Sequence, residues 1–226
     1  MLNKALYGPN GKEWQEALDY EISQLEKLKT WVIEKLPQGQ TTISCSKVIK
    51  VKWGPNGEVQ SYRVRIIAGR HRQTEGVNYT ETFSAAAKMP TVQVVLANTT
   101  HQNWEIKHID VKSAYLNAPL KEKIYMRPPW GVLKPGQEGI VLRLLKGLYG
   151  LKQADRGWYL EMSRVLIKEM GFKLSGIDHL VFYRKWGEKH TIVAVATDDM
   201  AVTSNAGRFK MNIRKHWDIT DHGSIK

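Results

Sequence analysis

Three aspartates stand at the ends of apolar stretches. Asp198 and Asp199 are adjacent, with Ile192, Val193, Ala194 and Val195 before them and Met200, Ala201 and Val202 after. Asp110 closes an apolar-flanked stretch of its own, residues 104–111. An acid pair at a bend is by itself ordinary turn chemistry, because an Asp carboxylate satisfies nearby backbone donors. The apolar flanks argue for more. A hairpin of this composition lies at the centre of a sheet, where two adjacent carboxylates repel unless a cation neutralises them. Magnesium takes one or two carboxylates and completes its shell with phosphate oxygens and water. Two such ions about 4 Å apart activate an attacking 3′-hydroxyl and stabilise a leaving pyrophosphate. The chemistry open to Asp110, Asp198 and Asp199 is therefore two-metal nucleotidyl transfer. No Gly-x-Ser-x-Gly, Walker loop or His-Glu-x-x-His competes with it, and the seven histidines have no ligand spacing.

Basic residues supply a second constellation. Between Cys45 and Glu75 stand Lys47, Lys50, Lys52, Arg63, Arg65, Arg70 and Arg72, against only Glu58 and Glu75. Residues 45–53 alternate, with Ile49, Val51 and Trp53 on one face and Lys50 and Lys52 on the other. Pro55-Asn56-Gly57 supplies a turn. The return strand sets Tyr62, Val64 and Ile66 against Arg63, Arg65 and Ile67. Lys50, Lys52, Arg70 and Arg72 are candidates for a nucleic-acid path. The plain alternative is a solvated strand face. The whole chain of 226 residues carries a formal +12, which favours polyanionic partners.

The elements that must position these residues can be read from periodicity. Residues 13–29 predict an amphipathic helix with Trp14, Leu18, Leu25 and Leu28 inward. Pro90 opens a helix through Asn98. A short helix is expected around Ser113–Asn117, and a strand over 140–145. Arg156–Met170 predicts a helix with Trp158, Met162, Val165, Leu166 and Met170 inward. Strands at 180–184 and 191–196 flank a Trp186-Gly187 turn, and Asp198-Asp199 forms a tight bend into 200–203. Helices and strands interleave without regular βαβ alternation, which predicts an α+β fold. The single cysteine, Cys45, excludes a disulfide framework and a Cys-based zinc site. The first residues lack the apolar core of a signal peptide. No apolar run reaches the roughly 18 residues a membrane span needs. An intracellular protein, cytoplasmic or nuclear and not secreted, is the expectation.

The motifs, taken in order, resemble the reverse transcriptases of Ty1/copia-type retrotransposons. Ala5-Leu6-Tyr7-Gly8-Pro9 and Glu13-Trp14-Gln15-Glu16-Ala17 match the family's opening segment and first helix. Tyr62-Arg63-Val64-Arg65-Ile66-Ile67-Ala68 resembles its finger strand, and residues 75–84 resemble the loop that follows. Ile109-Asp110-Val111-Lys112-Ser113-Ala114-Tyr115-Leu116-Asn117 resembles its first catalytic motif. Ile124-Tyr125-Met126-Arg127-Pro128-Pro129 and Leu148-Tyr149-Gly150-Leu151-Lys152-Gln153-Ala154 continue the match.

The resemblance implies polymerase fingers plus a ferredoxin-like palm with a central antiparallel sheet. Residues 1–90 would be the fingers-like region and 91–226 the palm-like catalytic region. Together they would form one continuous domain, cut before thumb and RNase H. It implies RNA-directed DNA polymerase activity on an RNA or DNA template–primer with deoxynucleoside triphosphates, no membrane partner, and two Mg²⁺ or Mn²⁺ ions held by Asp110, Asp198 and Asp199. Tyr115 would lie beneath the incoming sugar, where its ring collides with a ribose 2′-hydroxyl. Arg63 and Arg65 would grip the triphosphate, since guanidinium forks match phosphate. Tyr149, Gly150 and Gln153 would lie near nucleotide and template.

Several positions depart from the family pattern. Ala196-Thr197 stands where Tyr-Val usually precedes the acid pair. Ala154-Asp155-Arg156 stands where Ser-Pro-Arg is usual, Ser84-Ala85-Ala86 replaces a Ser-Pro-Val-like run, and Lys47 replaces a tryptophan. These departures keep a second function in play: a domesticated or decayed, non-catalytic RNA-binding or structural protein derived from a retrotransposon.

Overall fold

The computed structural model describes residues 2–69, 73, 86–129, 131–133, 139–207 and 209–225. The fold is α+β, with sheets that are mostly antiparallel. Contacts divide the chain into two compact units, 1–81 with 119–154, and 82–118 with 155–226. The split expected at residue 90 differs from this grouping chiefly in the stretch 119–154. The cause is hydrogen bonding: β6 (Pro119–Met126) and β7 (Ile140–Lys146) form one sheet with β1 (Trp31–Lys35) and β2 (Thr42–Ile43), in the order β1-β7-β6-β2.

The first unit also holds α1 (Leu2–Leu6), α2 (Gly11–Lys27) and the hairpin of β3 (Cys45–Trp53) and β4 (Val59–Ala68). Helix α2 buries Trp14, Leu18, Ile22 and Leu25, the expected stripe with Ile22 added, while Leu28 caps its end half-buried. Trp14 packs edge-on to the Tyr62 ring at 4.7 Å. The expected alternation of the hairpin holds except at its turn end. Val64 and Ile66 are buried, and Lys50, Lys52, Arg63 and Arg65 are exposed. Trp53, expected on the face of Ile49 and Val51, is exposed beside a register shift. Burial pushes the Cys45 thiol up to about 11, so it stays protonated and unreactive at neutral pH.

The second unit is built on a six-stranded antiparallel sheet. Its members are β5 (Glu105–Val111), β8 (Lys173–Leu174), β9 (Val181–Trp186), β10 (Lys189–Ala196), β11 (Asp199–Ser204) and β12 (Ile219–Ile225). The order is β12-β5-β11-β10-β9-β8. Helix α3 (Met89–His101) buries Val95 in a small cluster with Val181 and Ala194. The larger core joins Val193, Val195, Met200 and Val202 to Trp158, Met162, Val165, Leu166 and Met170. Those five are the inward positions that periodicity assigns to the helix after Arg156. That helix runs as α4 (Ala154–Arg164) and passes into one π-helical turn over Val165–Glu169. With apolar groups from both directions, β10 and β11 are central strands, as their composition requires. A short α5 (Phe209–Ile213) adds Phe209 and Ile213 to the same core. Among the described residues no helix is long and apolar enough to cross a membrane.

Candidate active site

Strand pairing determines where the acids meet. Antiparallel β5 and β11 set Asp110 directly opposite Asp199, so the two side chains share one face of the sheet. Asp110 is half-exposed and Asp199 exposed. The bend lies one residue earlier than expected. Ala196 pairs with Asp199, leaving Thr197 and Asp198 as the two-residue loop. Thr197 has φ 56°, a left-handed setting that costs a β-branched residue energy and that no propensity rule would assign to it.

Two contacts hold this loop in place. The Trp158 indole nitrogen donates to the Thr197 carbonyl at 2.6 Å, and the Val111 amide donates to the Asp198 carbonyl at 2.8 Å. Trp158 is fully buried and packs edge-on to Trp217 at 4.8 Å. Periodicity identifies Trp158 as core but cannot identify the partner of its N–H. Trp158→Phe keeps most of the packing and leaves the Thr197 carbonyl without that donor. We expect it to lower unfolding free energy by about 2–3 kcal/mol in urea titration. It should also speed amide exchange at Asp198 and Asp199. Exchange there equal to wild type would contradict the anchoring role.

His108 was not singled out by sequence. It precedes Asp110 by two positions on the same strand face, and its Nε2 lies 2.6 Å from Asp199 Oδ1. Its ring stacks on His222 of β12 at 4.7 Å. The pairing spans 91 positions of sequence, so only the fold reveals it. The donor chemistry and register of Asp110 and Asp199 fit a hard divalent cation, and their exposure leaves room for water or phosphate in its shell. Asp198 lies in the loop, one residue before Asp199. The expected gathering of all three carboxylates is not realised as one cluster: among the described residues no three acid, His or Cys side chains converge as a metal ion would require.

The other expected residues fall into two groups. Tyr115, in the 3₁₀ turn Ala114–Asn117 that follows β5, donates its hydroxyl to Asp155 Oδ1 at 2.5 Å. Sequence marked Asp155 only as a departure from pattern. In the first unit, register places Lys50 opposite Arg63, Lys52 opposite Ser61, and Val48 opposite Arg65. Cross-strand partners share a face, so Lys50, Lys52, Arg63 and Arg65 lie on one exposed ribbon. The Arg65 guanidinium rests 4.7 Å above the Tyr149 ring.

Gly150 and Gln153 have evident structural duties. Gly150 has φ 90°, and a Cβ there would stand 2.3 Å from the Ala68 carbonyl oxygen. Only glycine fits where this turn crosses the end of β4, whose Ala68 amide bonds the Tyr149 carbonyl at 2.8 Å. Gln153 is buried and accepts from Gln73 at 2.9 Å, while Gln73 accepts from the Lys152 amide at 2.8 Å. Arg70, Arg72 and the loop over 75–84 lie outside the described residues.

Comparison with known proteins identifies the family. A family model described as reverse transcriptase (RNA-dependent DNA polymerase) matches residues 28–226. The retrovirus-related Pol polyprotein from transposon TNT 1-94 of Nicotiana tabacum is 29% identical over 227 residues, covering 98% of this chain and 17% of that protein. That from transposon RE2 of Arabidopsis thaliana is 31% identical over 202 residues, 89% of this chain and 14% of its own length. The transposon Ty1-BL Gag-Pol polyprotein of Saccharomyces cerevisiae is 30% identical over 168 residues, 72% of this chain and 9% of its own. The chain thus spans about a sixth or less of these relatives. It belongs to the reverse transcriptase (RNA-dependent DNA polymerase) family, in the Ty1/copia-type branch of retrotransposon Pol polyproteins.

Proposed function

We propose that this chain is the nucleotide-adding core of a retrotransposon Pol polyprotein, an RNA-directed DNA polymerase acting in the cytoplasm or nucleus. One observation carries the reading: Asp110, half-exposed, and Asp199, exposed, are direct partners on one face of central strands, with Asp198 adjoining. A buried core gains nothing from such acids, and like charges opposite one another in a sheet are destabilising.

In this reading the sheet carrying the aspartates is the palm, and the residues before about 90 provide the fingers. Asp110 and Asp199, with Asp198 beside them in the loop, would hold Mg²⁺ or Mn²⁺, and the ions would supply acidification of the primer hydroxyl and charge neutralisation for the departing pyrophosphate. Lys50, Lys52, Arg63 and Arg65 bind template and triphosphate oxygens. Tyr115 lies under the incoming sugar, and Trp158 keeps the acid loop in its strained setting.

The second reading, a non-catalytic RNA-binding protein, draws on a specific observation: Asp199 is engaged by His108, and among the described residues no three-ligand set is assembled. Extension of a labelled oligo(dT) primer on poly(rA) with Mg²⁺ or Mn²⁺ separates the two. The polymerase reading expects metal-dependent ladders of added nucleotides. Tight binding of the template–primer with no addition in either metal would establish the second reading instead.

A further inference from the structure

The hydrogen bond between Tyr115 and Asp155 joins two short, well-anchored elements across 40 positions of sequence. Tyr115 projects from the 3₁₀ turn, whose Ala114 and Leu116 are buried. Asp155 sits in the first turn of α4, where the helix dipole favours a carboxylate. The turn and helix are close-packed nearby: a Cβ on Gly157 would stand 3.9 Å from that of Ala118. The half-buried tyrosine ring is thus held at its hydroxyl end as well as at its Cβ.

We propose that Asp155 is a positioning residue that fixes the Tyr115 ring and so sets how strictly the site prefers a 2′-deoxyribonucleotide over a ribonucleotide. The proposal rests on the polymerase reading, in which that ring lies beneath the incoming sugar. Rejecting a single hydroxyl group is a matter of small displacements. A ring free to tilt yields to the extra oxygen, whereas a ring tethered at both ends cannot. Asp155 itself need not touch the nucleotide, so its whole effect passes through Tyr115 and should vanish when the tyrosine hydroxyl is absent.

The test uses the full chain on template–primer, comparing dTTP with UTP by equilibrium binding and by kinetics of incorporation. Asp155→Ala and Tyr115→Phe should each lower the dTTP-over-UTP preference about five- to tenfold, the scale of losing one hydrogen bond to a charged group. In Asp155→Ala the loss should appear as tighter binding and lower KM for UTP, with kcat for dTTP little changed. Asp155→Asn, which keeps an acceptor, should retain most of the preference. The double variant should be no worse than either single, because both break the same contact. An unchanged preference in Asp155→Ala, or single effects that add in the double, overturns the proposal and leaves the polymerase reading standing. A wild-type chain that binds neither nucleotide on template–primer overturns both. Should Asp155→Ala fail to fold, Tyr115→Phe, which removes one oxygen, carries the same comparison.

Discussion

Asp110→Asn should reduce nucleotide addition at least about a thousandfold, because a carboxylate ligand of a catalytic metal supports several kcal/mol of transition-state stabilisation. The fold should barely notice. Asp110 is half-exposed, and its strand is held by backbone bonds to β11 and β12 that an amide side chain leaves untouched. Template–primer affinity should stay equal or rise slightly, since the change removes a like charge from the path of the phosphates. Rate and affinity therefore separate. Single-turnover extension alongside anisotropy of a labelled template–primer reads both. A parallel fall in affinity and rate would mean that Asp110 helps hold nucleic acid rather than serving the chemistry.

The second large effect belongs to the basic ribbon. Lys50 faces Arg63 directly across β3 and β4, a like-charge pair of the kind that costs a hairpin some stability. Such an arrangement is unfavourable for the free fold and favourable once phosphates lie along it. Neutralising about four phosphates of a single strand gives a salt slope near −2.8, so affinity should fall about fiftyfold between roughly 50 and 200 mM salt. Replacing Lys50, Lys52, Arg63 and Arg65 together with Ala should weaken binding and flatten that slope. It should leave the melting temperature equal or higher. The quadruple variant gives up the Arg65 contact with the Tyr149 ring. An unchanged slope, measured by anisotropy at three salt concentrations, would reduce the ribbon to a solvated surface.

What could be read from sequence, and what could not, follows the range of the interactions. The α2 stripe, the β3–β4 alternation and the inward face of α4 are local patterns with periods of 3.6 or 2, and the structure reproduces them. Sequence patterning does not single out strands β1, β2, β6, β8 and β12. β6 opens on Pro-Leu-Lys-Glu-Lys and β12 contains Asp-His-Gly-Ser, compositions that mimic loops. They are strands because β7 and β5, elsewhere in the chain, offer them hydrogen-bonding edges. The π-helical turn at Val165–Glu169 keeps the same buried face, so periodicity passed over it.

At the site, apolar flanks revealed the acids. The position of the bend instead depends on a left-handed threonine, and the partners of Trp158, His108 and Asp155 lie 39, 91 and 40 positions away. Residue types point to a candidate chemistry, whereas pairing determines which side chains restrain one another.

Direct titration of Mn²⁺ into the chain tests the central claim apart from any turnover. The account predicts saturable binding to the wild type, accompanied by a rise in melting temperature that grows with free Mn²⁺, because a ligand of the folded state stabilises it by mass action. Asp198→Asn combined with Asp199→Asn should abolish both signals while leaving the metal-free protein at least as stable. Equal Mn²⁺ binding and equal stabilisation in the wild type and the double variant would show that these aspartates do not form the cation site.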